Sequence, residues 1–302
     1  MNDLLCPVCR AADLRLINKR IAEISSEPSP YLLMVCQRCR VYSLFPRPTT
    51  VGEVMGLYPD DYEPHRVRGG RWGEWQIRRL NRLRVSLLRR AVPAGGKLMD
   101  VGAGIGGFLE EMRLYPAWVT EGIDINRHAV SYSQSLGLPV RLADISTTDF
   151  GTSRYDAITM WEVIEHVSDP LGVMATIRRA LKPEGPLFMS TPNAEGLSQR
   201  IWGRYWQGWE FPRHLQVFSR TSLTTFLNTN GFSVRRFHVL PVERYYWTQS
   251  MLNCLEDRIS GARSNRALAA LTQFSAFAFA PLCWLIDLHP LASNLVVEAI
   301  RE

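Results

Sequence analysis

Lysine is almost absent from this 302-residue chain: only Lys19, Lys97 and Lys182 stand among its 35 basic residues. The arginine-rich balance leaves a net charge of +6 and a pI near 9.1. Such an excess follows genome base composition as readily as an anionic partner, so it carries no functional argument. No basic stripe interleaved with aromatics is present either, and no nucleic-acid partner is expected. The arginines between Arg66 and Arg90 are the one exception to that even spread. The opening Met1-Asn2-Asp3-Leu4-Leu5 reaches Cys6 without a basic stretch followed by an apolar one. No secretory leader is therefore expected, and the cytoplasm is the default location. Charge is missing in one more place: residues 267–286 contain none.

Six cysteines divide four and two. Cys6, Cys9, Cys36 and Cys39 form two C-x-x-C pairs separated by 26 residues, while Cys254 and Cys283 stand alone. Without a leader, paired C-x-x-C units favour a metal over disulfides, although coincidental cysteines or a redox pair would read the same. Each pair places two thiolates on one tight turn, and two turns supply four sulfur ligands for a structural zinc. Four thiolates leave no open position for catalysis. Residues 14–35 are long enough for a hairpin between the turns, and a segment this small needs such a staple. The expected domains are a zinc ribbon over 1–45, a linker with N-terminal helices over 46–95, and a main domain over 96–302. The linker is proline-rich and aromatic through Tyr62. Residues 72–92 then read as a helix, with Trp72, Trp75, Leu80, Leu83 and Leu87 on one face and Arg78, Arg79, Arg82, Arg89 and Arg90 largely elsewhere. Packing beside a sheet is the simpler reading, and lying on an anionic membrane the alternative.

From residue 97 strands and helices alternate. Strands are expected at 97–101, 118–124, 139–142, 155–160, 186–190, 232–240 and 294–300, with helices ending at 112 and spanning 127–136 and 171–181. That alternation predicts an α/β fold with a doubly wound, largely parallel sheet whose ligands bind at the carboxyl ends of the strands. A glycine turn, Gly102-Ala103-Gly104-Ile105-Gly106-Gly107, follows the first strand, and Asp124 ends the second, 22 residues after Gly102. Both features would serve NAD as well as another adenosyl ligand.

Asp100 ahead of the glycines gives D-x-G-x-G. Asp144 follows the third strand, and Tyr155 to Val167 carries D-A-I-T-M-W-E-V-I-E-H-V; Leu181-Lys182-Pro183-Glu184-Gly185 and Thr191-Pro192-Asn193 come after it. In this order the motifs resemble those of class I S-adenosylmethionine-dependent methyltransferases, over residues 97–240 and the final strand. The cysteine pairs resemble the zinc ribbons ahead of many bacterial members. The resemblance implies a seven-stranded Rossmann-like sheet and S-adenosylmethionine held by Asp100, Gly102, Ala103, Gly104, Asp124, Ile125, Asp144, Ile145 and Trp161. Asp124 would take the ribose diol and Asp144 the adenine amino group.

Glu162, Glu165 and His166 lie at i, i+3 and i+4, and would share one face if the segment made a helical turn. Carboxylate, carboxylate and imidazole make a plausible divalent-metal set. The pattern resembles ubiquinone-pathway O-methyltransferases and plant-type small-RNA 2′-O-methyltransferases. In the latter a further His after Thr-Pro-Asn completes the metal site, which implies His214 here. Glu162, Glu165, His166 and His214 are therefore the candidate catalytic residues, as ligands of a second divalent metal or as acid, base or positioning groups. A purely structural turn is the alternative. The aromatic run Trp202 to Trp209 reads equally as an acceptor wall or a packed cap.

Residues 267–286 are long enough for a membrane span, but a crossing would strand the last β-strand on the far side, and Pro281 interrupts the run. A helical insertion over 241–291 is expected instead, with peripheral membrane contact or a homodimer through 267–287 as its further roles. Together these readings predict methyl transfer to a small-molecule acceptor at a hydroxyl oxygen: a saccharide, a phenol or a lipid-linked intermediate. C- or N-methylation in sugar or natural-product biosynthesis, RNA methylation, and a non-catalytic donor-binding partner protein remain alternatives.

Overall fold

A computed structural model describes residues 4–18, 31–57, 70–259 and 265–302. The middle of the expected ribbon hairpin (19–30), the end of the aromatic linker (58–62) and the side chain of Trp72 lie outside the described residues.

In chain order, β1 (Leu14–Asn18), β2 (Leu32–Cys36) and β3 (Tyr42–Phe45) are followed by α1 (Val51–Met55) and α2 (Gly70–Ala91). Thr50 starts α1 with a capping box: its hydroxyl accepts from Glu53 N, and the Glu53 carboxylate accepts from the Thr50 and Thr49 N–H groups. The alternating region supplies β4 (Gly96–Val101), α3 (Gly107–Met112), β5 (Trp118–Asp124), α4 (Arg127–Ser135), β6 (Val140–Leu142), β7 (Ala157–Trp161), α5 (Pro170–Ala180) and β8 (Pro186–Pro192). Then come α6 (Leu197–Trp202), β9 (Gln216–Val217), α7 (Arg220–Thr229), β10 (Phe232–His238), α8 (Glu243–Glu256), α9 (Arg266–Ala278), α10 (Ala280–Asp287) and β11 (Asn294–Arg301).

Seven strands form one sheet in the order β10-β11-β8-β7-β4-β5-β6. The strands from β4 to β8 pair in parallel, and β11 runs antiparallel to β10. Every residue of β7 and β8 is buried, as strands covered on both faces require. The chain leaves β4 toward β5 on one side and later returns to β7 on the other. That reversal places the turns after β4 and β7 at the switch point where open α/β sheets bind ligands.

Backbone contacts divide the chain into two compact units, each discontinuous in sequence. The sheet unit comprises Pro48–Ser190, Leu227–His238 and Val296–Glu302; the ribbon unit comprises Met1–Arg47, Thr191–Phe226 and Val239–Leu295. Within the sheet unit α2 packs on α3, as the simpler reading of its sequence predicts. Its inward face differs from the expected one, however. Asn81, Val85 and Leu88 are buried, whereas Trp75 is half exposed with Arg79 against its ring. The arginines set the hydrophobic phase poorly because Arg84, between these buried positions, itself turns inward.

In the ribbon unit β1, β2, β3 and β9 make a four-stranded antiparallel sheet. Its fourth strand comes from far along the chain. Arg47 fastens it, donating to Leu215 O at 2.7 Å and to Gln216 Oε1 at 2.6 Å. Beside it a core gathers Leu33, Ala194, Trp206, Trp209, Val217 and Tyr246. Trp206 and Trp209 are buried and meet edge to face at 5.3 Å. The aromatic run is thus a packed core.

Candidate functional site

The glycine turn begins where buried β4 ends. Gly102, Gly104 and Gly106 all have positive φ (71°, 55° and 84°), a conformation that side chains with a Cβ rarely adopt. At Gly102 space also forbids a Cβ, which would sit 2.3 Å from Val163 Cγ2. The turn after β4 therefore lies against the turn after β7. Its N–H groups are largely committed inside the protein. Gly102 N and Ala103 N donate to Ile123 O, Gly106 N donates to Ala103 O, and Gly104 N donates to Asp124 Oδ2 at 2.8 Å.

Asp124 accepts a second backbone bond on Oδ1, from Asn126 N at 2.7 Å. Each oxygen keeps a lone pair for a further donor. Burial raises its pKa against these two bonds. Asp100 lies deeper, and burial pushes its pKa up to about 7, opposed by the Thr159 hydroxyl (2.6 Å) and by the Arg84 charge. Asp144 faces a local turn: its carboxylate accepts from Ser146 N (2.9 Å) and Ser146 Oγ (2.6 Å), beside buried Ile145. Trp161, at the end of β7, is buried between Phe108 (5.7 Å) and Phe188 (6.4 Å), with the Arg84 guanidinium 4.8 Å from its ring centroid.

Arg84 and Asn81, one helical turn apart on α2, were not among the expected site residues. Burial draws the Arg84 pKa down, opposed by the charges of Glu162 and Asp100. Asn81 Nδ2 would stand 3.1 Å from a Cβ on Gly107. The available signal was their spacing with Val85 and Leu88, which puts two polar groups on a buried helical stripe.

After β7 the chain makes one turn, closed by His166 N to Val163 O at 2.9 Å, rather than a helical segment. Glu162 precedes it with φ 56°, its N–H donated to Ser190 O and Oγ. A left-handed glutamate at a strand end is the kind of backbone strain that accumulates at functional sites. Glu165 is buried, and its carboxylate and the His166 ring nitrogen come within 4.8 Å of each other. His214 belongs to the ribbon unit, just before β9. It is buried with Nδ1 2.8 Å from Gly208 O and Nε2 3.7 Å from Glu210 Oε2. Since a carbonyl only accepts, Nδ1 carries the proton and Nε2 has the lone pair in the neutral ring.

The four cysteine sulfurs of the ribbon unit cluster within 4.8 Å of one another, with Cys6–Cys39 at 3.5 Å and Cys9–Cys36 at 3.6 Å. These separations exceed a disulfide and approach the roughly 3.8 Å edge of a sulfur tetrahedron about 2.3 Å from zinc. Both knuckles turn alike: Arg10 and Arg40, immediately after each pair, have φ 59° and 62°, and donate N–H to Cys6 O and Cys36 O. The donor set fits a structural zinc.

In the insertion, α9 and α10 turn Thr272, Cys283, Ile286 and Asp287 inward. Phe274, Phe277, Trp284 and Leu285 are each more than half exposed. Among the described residues no helix is long and apolar enough to cross a membrane.

Residues 72–236 match the family model described as a methyltransferase domain, more than half of the chain. The chain belongs to this methyltransferase domain family. The matched methyltransferase region runs from α2 to β10, leaving the cysteine knuckles and the helical insertion outside it. A ubiquinone biosynthesis O-methyltransferase of Pseudomonas syringae pv. tomato is 37% identical over 122 residues, covering 38% of this chain and 52% of that protein. The chain thus spans about half the length of the curated relatives it matches. Among solved structures, a phospholethanolamine N-methyltransferase 2 of Haemonchus contortus aligns with TM-score 0.52 at 14% identity, over 76% of this chain and 57% of its own. The cyclase SpnF aligns with TM-score 0.50 at 19% identity, over 73% and 80%. At such identities they share the fold with this methyltransferase domain.

Proposed function

We propose that the chain transfers a methyl group from S-adenosylmethionine to a hydroxyl oxygen of a small acceptor. One observation supports that donor over a dinucleotide: Gly102, Ala103, Gly104 and Gly106 of the glycine turn spend their N–H groups on Ile123, Asp124 and Ala103. A dinucleotide site needs those groups free for a pyrophosphate. What remains around the turn is acidic, with Asp100, Asp124 and Glu162 against one buried cation, Arg84. Such a set suits a cationic sulfonium and a ribose diol. In this reading Asp124 accepts from the diol, residues 102–104 lie against the donor, and Ile125, Asp144 and Ile145 meet the adenosine. Trp161 closes the end near β7.

The bound sulfonium supplies an already activated methyl, so the protein's work is alignment and exclusion of water. Glu165 and His166 are the residues proposed to receive or mask the acceptor's proton. Their donor chemistry also fits a divalent ion, which with Glu162 would hold the acceptor oxygen and lower its pKa. His214 enters this set through the sequence resemblance. The name carried by the curated relatives favours a phenolic acceptor over a saccharide. Calorimetry should show S-adenosylmethionine binding without NAD binding; the reverse result would end this reading. Turnover of a catechol-type phenol that survives both chelator and Glu162→Ala would remove the metal while leaving the methyl transfer. For the exposed face of α9 and α10 the proposed roles are bilayer contact or self-association, which vesicle flotation and sedimentation separate.

A further inference from the structure

Away from the glycine turn, β10 carries adjacent arginines, Arg235 and Arg236. In a regular strand neighbouring side chains point to opposite faces. Here the register shifts: Val234 pairs with Ala299 but Arg236 with Glu298, so Arg235 is the extra residue of a bulge. A bulge re-aims side chains, and this one turns both arginines toward a single carboxylate. Arg235 Nη1 is 3.4 Å from Glu298 Oε1, Arg236 Nε is 4.0 Å from Oε2, and His238 Nε2, two residues along the same face, is 2.9 Å from Oε2.

The last turn of α2 adds a fourth basic group. Arg90 borders the same cavity, of about 140 Å³, with two apolar residues of α2 forming the wall. Among the described residues no ion pair or hydrogen bond of the Arg90 side chain is seen. The carboxylate lies at the floor, with Glu298 6% exposed, and the arginine heads lie at the mouth, with Arg235 55% and Arg236 62% exposed. The hydrogen bond from His238 is the main cause holding the Glu298 pKa down, so the floor stays ionised and locks the cations in place. Three guanidinium groups facing one carboxylate leave a surplus of about two positive charges at any working pH.

We infer that this cavity, formed by Arg90, Arg235, Arg236, His238 and Glu298, binds a phosphate-class dianion. Guanidinium forks match phosphate oxygens bidentately, and the surplus charge equals that of a phosphate monoester. The volume is well below the roughly 300–1,000 Å³ of sites that enclose whole small molecules, so the group held is a phosphoryl head with the rest of its carrier outside. The carrier is either a soluble phosphorylated metabolite or a lipid headgroup. The inference is independent of the methyl-transfer reading.

Titration of the full chain with inorganic phosphate, against sodium chloride of equal ionic strength, tests it. Saturable binding is expected for the wild type, weakened at least about tenfold by Arg90→Ala and by the Arg235→Ala/Arg236→Ala pair. Glu298→Gln removes the competing carboxylate and should tighten binding severalfold, an effect a merely structural ion pair would not produce. Arg90 is exposed at a helix end, so Arg90→Ala should keep the wild-type circular dichroism spectrum. Flotation with phosphatidylglycerol vesicles, with phosphatidylcholine as control, identifies the carrier. Arg90-dependent vesicle binding displaced by phosphate indicates a lipid, and phosphate binding without vesicle binding a soluble metabolite. Wild type indifferent to both probes, or Arg90→Ala matching it, would overturn the site.

Discussion

The two compact units solve the problem of holding a fold in opposite ways. The sheet unit buries two strands on both faces and assembles mainly from consecutive β-α steps. The ribbon unit draws three distant segments around two cysteine knuckles, a tryptophan core and several buried polar groups. Glu243 is an example: buried, it accepts from the hydroxyls of Ser198 and Ser293 and from Ser293 N. Small sheets with little apolar depth lean on such fixtures, whereas a doubly wound sheet does not. The contrast also divides the chemistry. The donor-site candidates belong to the sheet unit, and of the candidate catalytic residues only His214 belongs to the other.

Removing metal should break the comparison most sharply. Structural zinc contributes on the order of 10–16 kcal/mol in small zinc domains. Cys36→Ser, or treatment with a strong chelator, should therefore abolish amide-exchange protection in β1, β2 and β3 while β4, β7 and β8 keep theirs. Uniform loss along the chain would show that the units are not separately stabilised. Next in size is Trp206→Ala, which empties the aromatic core. A loss of about 3–5 kcal/mol is expected in denaturant unfolding, typical for a fully buried tryptophan.

In the sheet unit a single methyl group should suffice. Gly102→Ala must adopt φ 71° with its Cβ 2.3 Å from Val163. Left-handed strain of about 1–2 kcal/mol adds to overpacking of about 1–3 kcal/mol. Donor binding by calorimetry should fall by 10-fold or more, with zinc content unchanged. Asp124→Ala should lower donor affinity by roughly 10- to 100-fold, the cost of charge-assisted hydrogen bonds. A variant that kept wild-type affinity would remove Asp124 from the donor site.

The same contrast explains what could be read in advance. Strands β4 to β8 follow from periodicity because each β-α step is local, and the D-x-G-x-G turn with Asp124 and Asp144 is spaced along those steps. The cysteine spacing likewise exposes the knuckles. Strand β9 was not legible: two residues, Gln216-Val217, pair with Ser43 and Tyr42 of β3, which lies far earlier in the chain, and no local pattern encodes such a pairing. Arg84 hid for a different reason. An arginine in a helix rich in arginines reads as solvent-facing until its burial and the charges of Glu162 and Asp100 acting on it are seen. The spacing of Glu162, Glu165 and His166 puts them on one face only of a helical turn, and the left-handed Glu162 ends that possibility at its first residue.

The gentlest test concerns the ribbon unit's buried acids. Asp287 Oδ1 accepts from Val242 N and Glu243 N, capping α8, and burial pushes the pKa of Asp287 and of Glu243 up to about 7 each. Their unfolded values are near 4, so the folded chain binds these protons more tightly. The stability they lend is complete below about pH 4 and lost as pH rises through 7. Asp287→Asn keeps the Oδ1 acceptor, removes one buried charge and relieves Glu243 of its neighbour's repulsion. It gives up a favourable charge at the start of α8, worth about 0.3–1 kcal/mol. The net should be about 1 kcal/mol of stabilisation at pH 8, a few degrees in Tm, shrinking to nothing near pH 4. Equal shifts at both pH values would mean that packing, not the buried charge, limits this unit.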